Sequence, residues 1–110
     1  MEKKVRKVVY SRIFRKNLQD VYEYGVSTFG ENAAAYFLDE VIEQTLKLNF
    51  SFFTHPECRH LRTKSKMYRN IIIGSYLIIY RITDIRIEVL SIIHGSRRPS
   101  YIKNIRSINL

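Results

Sequence analysis

The chain has 110 residues with 45% hydrophobic and 26% charged side chains, the make-up of a single folded domain over 1–110 rather than of a disordered segment. One cysteine, Cys58, excludes an internal disulfide framework, and no run approaches the ~18 apolar residues of a membrane span. The net charge of +9 is segregated: +5 over residues 1–20, −5 over 21–57 and +9 over 58–110, so one anionic and one cationic face are expected, the latter suited to nucleic acid or an acidic protein.

The opening MEKKVRK is basic but leads into no apolar run, unlike a secretory signal. A soluble, cytoplasmic protein is therefore expected. Val5, Val8, Val9 and Tyr10 form a β-branched run that predicts a first strand. Ser11 stands where an N-cap begins a helix. Phe14, Leu18, Val21, Tyr22, Gly25 and Phe29 then recur at helical spacing, and Gly30 follows as a helix stop. A second helix is predicted from about Asn32, with Ala34, Phe37, Leu38, Val41, Thr45 and Leu48 on its apolar face. Phe14, Leu18, Val21, Leu38, Val41 and Leu48 are expected to face a sheet. The tight turn between the helices predicts an antiparallel hairpin.

Phe50, Phe52 and Phe53 close the helical half, and Pro56 stops the helix. Residues 54–67 form a loop rich in His, Arg and Lys. Thirteen of the fifteen isoleucines lie beyond residue 70. Strands are predicted over 68–73, 76–82 and 85–94, and their two-residue connections permit only antiparallel hairpins. In the last strand Ile85, Ile87, Val89 and Ser91 alternate with Arg86, Glu88, Leu90 and Ile92, which predicts a sheet covered on one face and partly open on the other. Ile102, Ile105 and Ile108 indicate a short C-terminal helix. The fold class is α+β, a helical hairpin packed on a small, mainly antiparallel sheet in the order β-α-α-β-β-β.

The basic first strand, the FG-closed hairpin, Tyr68-Arg69, Tyr80-Arg81-Ile82 and His94-Gly95-Ser96-Arg97-Arg98-Pro99 together resemble the RelE/ParE toxin superfamily of bacterial type II toxin–antitoxin systems. The resemblance runs from about Val5 to Tyr101 and is closer to the ParE branch. It implies a growth-inhibiting toxin neutralised by a cognate antitoxin, with either of two targets. RelE-like members cleave messenger RNA on the ribosome without a metal, using cations around the scissile phosphate and a group that takes a proton. ParE-like members bind DNA gyrase. On the ribonuclease pattern Arg69, Arg97 and Tyr101 are the catalytic candidates. Two further basic positions fall on Ile71 and Leu77, and losing two such contacts costs about a hundredfold or more each. The resemblance therefore implies gyrase binding through His94, Arg97, Arg98 and Tyr101, without catalysis. The ribosome and its message are the alternative target, and a basic nucleic-acid-binding module is a second alternative.

The antitoxin implied has an acidic, amphipathic C-terminal segment meeting Arg69, Arg81 and Arg97, with apolar anchors beside the hairpin. Arg69 and Arg81 have a plainer use, pairing with Glu88 across strands. His55, Cys58 and His60 lack a fourth ligand and regular spacing, so neither a metal nor another cofactor is expected. Tyr22, Tyr24 and Tyr36 are expected as core or groove-lining residues. No membrane role is indicated.

Overall fold

The computed structural model describes residues 5–110; Lys3 and Lys4 of the basic N-terminal arm lie outside the described residues. Strand β1 (Lys7–Tyr10) leads into α1 (Arg12–Phe29) and α2 (Glu31–Leu46), followed by the single turn α3 (Leu48–Ser51). After the basic loop come β2 (Tyr68–Ile73), β3 (Tyr76–Ile82) and β4 (Arg86–His94), then α4 (Pro99–Lys103) and a 3-10 turn over Asn104–Ser107. The sheet order is β1-β4-β3-β2. The β2–β3 and β3–β4 pairs are antiparallel, whereas β1 lies parallel to β4. A parallel neighbour needs a crossover, and the helical hairpin supplies it.

Local chemistry sets the boundaries. Ser11 Oγ accepts the Phe14 amide at 2.8 Å and donates to the Leu90 carbonyl at 2.6 Å, so the N-cap of α1 also fastens that helix to β4. Gly30 takes φ +92° between the two helices, a conformation a side chain would strain. Gly74 takes φ +57° in the β2–β3 turn, as two-residue hairpins require.

The helical hairpin covers one face of the sheet. Phe14, Val41 and Leu48 are buried there against Ile71, Ile78, Tyr80, Ile87 and Ile92, and Leu18 packs against the same cluster. Phe37 also packs on this core, its ring 5.5 Å from that of Tyr76. Val21 and Leu38, expected on that face, are only half-buried and outside the cluster. Phe29 leaves the predicted stripe altogether and is 70% exposed.

The opposite face is not open. Ile102, Ile105 and Ile108 of the C-terminal segment join Cys58 and Leu61 of the basic loop over Tyr68, Ile79, Leu90 and Ile93. The strict alternation predicted for β4 fails because of a β-bulge. Ile79 pairs with Ser91 but Tyr80 pairs with Val89, leaving Leu90 without an opposite residue. The extra residue changes the phase of the pleat, so Ile92 lies on the hairpin side with Ile87 and Val89 while Ile93 joins Leu90 beneath the C-terminal segment. No helix among the described residues is long and apolar enough to cross a membrane.

Candidate functional site

The C-terminal end of β4 gathers most of the predicted target-binding residues. His94 pairs with Tyr76 of β3, and its ring meets the Tyr76 ring edge-on at 5.5 Å. The Gly95 amide then donates to the Ser75 carbonyl at 2.8 Å. A Cβ on Gly95 would lie 3.3 Å from that oxygen, so the turn holds the two chain segments tightly together. The Ser96 amide donates to His94 Nδ1 at 3.1 Å. A backbone amide only donates, so Nδ1 is the acceptor in this contact.

Arg97 folds back so that its guanidinium lies 4.5 Å from the centroid of the Tyr101 ring. This stack holds the planar fork in place while Arg97 itself remains exposed. His94, Arg97 and Tyr101 share a cleft of about 230 Å³ with Asn17, Asp20 and Tyr24 of α1 and with Tyr76. Arg98 is exposed on the neighbouring side of α4, lining a shallower depression with Ser100 and Asn104. The four target-binding candidates are thus contiguous. Asn17, Asp20 and Tyr76 are cleft residues that sequence reasoning missed, because only the packing of α1 across β4 brings them there.

A second, apolar cavity of about 230 Å³ opens between the two long helices, lined by Val21, Tyr22, Tyr24, Gly25, Phe29, Ala33, Phe37 and Tyr76. Val21, Tyr24 and Tyr76 line both cavities, so an apolar groove runs into the polar cleft. The outward turn of Phe29 helps to build this groove.

The remaining candidates lie elsewhere. Arg69 faces Tyr80 in the β2–β3 register, while Tyr76 at the other end of β3 faces His94. Four residues of strand, about 13 Å, separate those positions. Arg69 donates from Nε to the Lys66 carbonyl and from Nη1 to the carbonyls of Phe53 and His55, at 2.9–3.1 Å. It therefore braces the basic loop and is not brought together with Arg97 and Tyr101. Ile71 is 3% exposed in the hairpin-side core, and Leu77 packs against the opposite core. Neither position presents a cation.

Arg81 is tied down more firmly still. Its Nε donates to Glu88 Oε1 at 2.6 Å, and Arg86 approaches the other carboxylate oxygen at 2.7 Å. Burial pushes the Glu88 carboxyl up, but the hydrogen bonds and charges of Arg81 and Arg86 outweigh it and hold the group below its ordinary value. Arg81 also reaches the carbonyls of Arg106 and Ile108 at 3.3 and 3.0 Å, pinning the C-terminal segment. The sequence-based pairing with Glu88 thus holds for Arg81 and not for Arg69. Cys58 is buried, His55 meets the Tyr80 ring edge-on at 6.1 Å, and no metal-binding cluster occurs among the described residues.

Comparison with known proteins places this geometry in a family. No curated protein matches the sequence at a significant level. Among solved structures, the chromosomal ParDE toxin–antitoxin system of P. aeruginosa contains a chain with TM-score 0.67 and 15% identity, covering 82% of this chain and 96% of that one. The RelBE2 toxin–antitoxin complex of Mycobacterium tuberculosis contains one with TM-score 0.56 and 19% identity, covering 82% and 98%. At these identities the likeness concerns the fold. The family described as ParE toxin of type II toxin–antitoxin system, parDE, matches residues 8–99. The chain belongs to the ParE toxin family of type II toxin–antitoxin systems.

Proposed function

We propose that this toxin arrests growth by binding DNA gyrase through the His94–Tyr101 segment, with no chemistry of its own. The observation that carries this reading is the exposed Arg97, held on Tyr101 beside His94, with Arg98 next to it. Arginine is a frequent binding anchor because its planar fork makes several hydrogen bonds and its face stacks. The ribonuclease alternative needs cations converging on one phosphate. Arg69, about 13 Å of strand away, is engaged by three main-chain carbonyls, and Ile71 and Leu77 are apolar.

In the same proposal a cognate antitoxin neutralises the toxin by laying an amphipathic, acidic C-terminal segment along the hairpin. Its apolar anchors enter the groove of Val21, Phe29 and Phe37, and its acidic groups meet Arg97 where that groove joins the cleft. Arg69 and Arg81, the other candidates for the acidic contact, also bond to carbonyls of their own chain.

The test adds purified toxin to gyrase supercoiling reactions and, separately, to translating ribosomes carrying a reporter message. Inhibited supercoiling with intact message is the expected result. Message cut on the ribosome with normal supercoiling would replace this reading by the ribonuclease one.

A further inference from the structure

We infer that the layer covering the sheet opposite the hairpin is a docking surface for the phosphate backbone of double-stranded DNA, formed by Arg59, Arg62, Lys64, Lys66, Lys103 and Arg106. This surface adjoins the contact proposed for gyrase at α4, which carries both Tyr101 and Lys103, but uses different cations. It begins in the sequence: residues 58–67 and 89–110 contain no Asp or Glu. The fold then brings those two stretches together, since Cys58 and Leu61 pack with Ile102, Ile105 and Ile108 in one core. Burying those apolar residues leaves all six cations exposed. None of them takes part in an ion pair among the described residues.

Of the nearest carboxylates only Glu57 lies within the loop, where it offsets one of the six cations. Glu88 is held between Arg81 and Arg86. Glu57 accepts the Thr63 amide at 3.1 Å. Asp84 stands at the rim, lining a cleft with Ser65 and Arg6. Six cations on one side and an acidic hairpin on the other give the molecule a field that orients it toward a polyanion.

The cations are also held in place. Arg81 pins the main chain at Arg106 and Ile108. In the loop, Lys66 takes φ +54°, the one non-glycine residue in the left-handed region among those described. That conformation costs about 1–2 kcal/mol for a residue with a Cβ. It is kept by the Thr63 carbonyl, which accepts the Lys66 amide, and by Arg69, which donates to the Lys66 carbonyl.

The chemistry of the layer favours a duplex backbone over other polyanions. Single-stranded nucleic acid is gripped by stacking on free aromatic rings, but here Tyr68 is buried and Tyr101 is occupied by Arg97. A membrane surface or a protein partner calls for exposed apolar anchors. Exposed large apolar side chains stand at the edges of the layer, at Phe53, Tyr101 and Leu110, and none lies among the cations over residues 57–67 or 102–109. What remains is a field of arginines and lysines, which suits sequence-independent phosphate contacts.

The experiment titrates the full chain, without gyrase, against a fluorescent duplex of about 20 bp of arbitrary sequence at several salt concentrations. If about five of the cations meet phosphates, log K falls against log salt with a slope of about −4.5, or roughly 500-fold between 50 and 200 mM. Lys103→Ala/Arg106→Ala should make the slope shallower by about 1.8, and Arg62→Ala/Lys64→Ala should do the same. Both variants replace exposed side chains and should melt as the parent does. A parental slope no steeper than about −1, or unchanged slopes in both variants, overturns the inference. So does tighter binding to the single strand, or binding to phosphatidylserine vesicles with none to duplex. An equal loss of slope in Arg97→Ala/Arg98→Ala would move the contact to the end of β4 and also overturn it. Because gyrase is absent, failure here leaves the supercoiling test untouched, and failure there leaves this one standing.

Discussion

Replacing Arg81 by Met tests how the outer layer is fastened to the sheet. Arg81 and Glu88 are 12% and 7% exposed as side chains and meet at 2.6 Å. Breaking a buried pair by removing one partner costs about 3–5 kcal/mol, because the other charge stays behind in a medium that solvates it poorly. Arg86 remains beside Glu88 at 2.7 Å and is 36% exposed, which places the expected loss near the lower end, about 3 kcal/mol. The carbonyls of Arg106 and Ile108 also lose their donor, so the C-terminal segment should loosen first. Urea unfolding at neutral pH measures the loss, and limited carboxypeptidase digestion reads the loosening. Adding Glu88→Leu removes the stranded charge, and the double variant should recover about 2 kcal/mol of the single variant's loss.

The pH dependence follows from the lowered Glu88 carboxyl. A group whose folded pKa is depressed contributes stability that is present above its unfolded value and lost as pH falls through the folded one. The gap between parent and Arg81→Met should therefore narrow below the ordinary carboxylate pKa of 4.5. An Arg81→Met loss under about 1 kcal/mol, or a double variant no better than the single, would refute the reasoning.

Val41 is fully buried, so Val41→Asp places an unpaired charge in the hairpin-side core and should abolish cooperative melting; a soluble variant of parental stability would show the face assignment to be wrong. Tyr80 is buried with its hydroxyl donating to the Phe52 carbonyl at 2.8 Å, so Tyr80→Phe should cost about 1–2 kcal/mol in urea unfolding. Burial pushes the Tyr80 hydroxyl well up, and its contribution is lost as pH rises above the ordinary tyrosine value. In an alkaline absorbance titration one of the eight tyrosines should stay un-ionised until the protein unfolds, and Tyr80→Phe should remove that delayed step. Lys66→Gly relieves the left-handed backbone against the greater flexibility of an unfolded glycine, a net gain of about 0.5–1 kcal/mol, read as a higher melting temperature together with weaker duplex binding.

The helix boundaries were legible because they depend on local chemistry. Ser11 caps and Gly30 turns whatever the rest of the chain does. The β2–β3–β4 hairpins were legible for the same reason, since short connections permit one pairing direction. The parallel placement of β1 beside β4 was not, because a crossover leaves no local mark. Nor was the bulge at Leu90: β4 is apolar on both faces, so period-two alternation carries no phase there. That shift, with the covering by Ile102, Ile105 and Ile108, is why a sheet expected to be partly open is closed on both sides. At the candidate site, the run from His94 to Tyr101 is continuous in sequence and was visible as a unit. The bonds of Arg69 and Arg81 to distant carbonyls and the approach of Asn17, Asp20 and Tyr76 arise only from tertiary packing.

The gyrase contact is tested most directly by the double substitution Arg97→Ala/Arg98→Ala in a supercoiling assay. Both residues are exposed, and the contact given up inside the toxin is the stack on Tyr101, worth about 0.5–1 kcal/mol. The variant should therefore fold like the parent, while the proposed antitoxin contact at Arg97 is weakened. Losing one anchor of about 2 kcal/mol weakens binding roughly 30-fold, so the concentration giving half-inhibition should rise by at least about that factor. Undiminished inhibition of supercoiling by the folded variant would contradict the assignment of this segment as the gyrase contact.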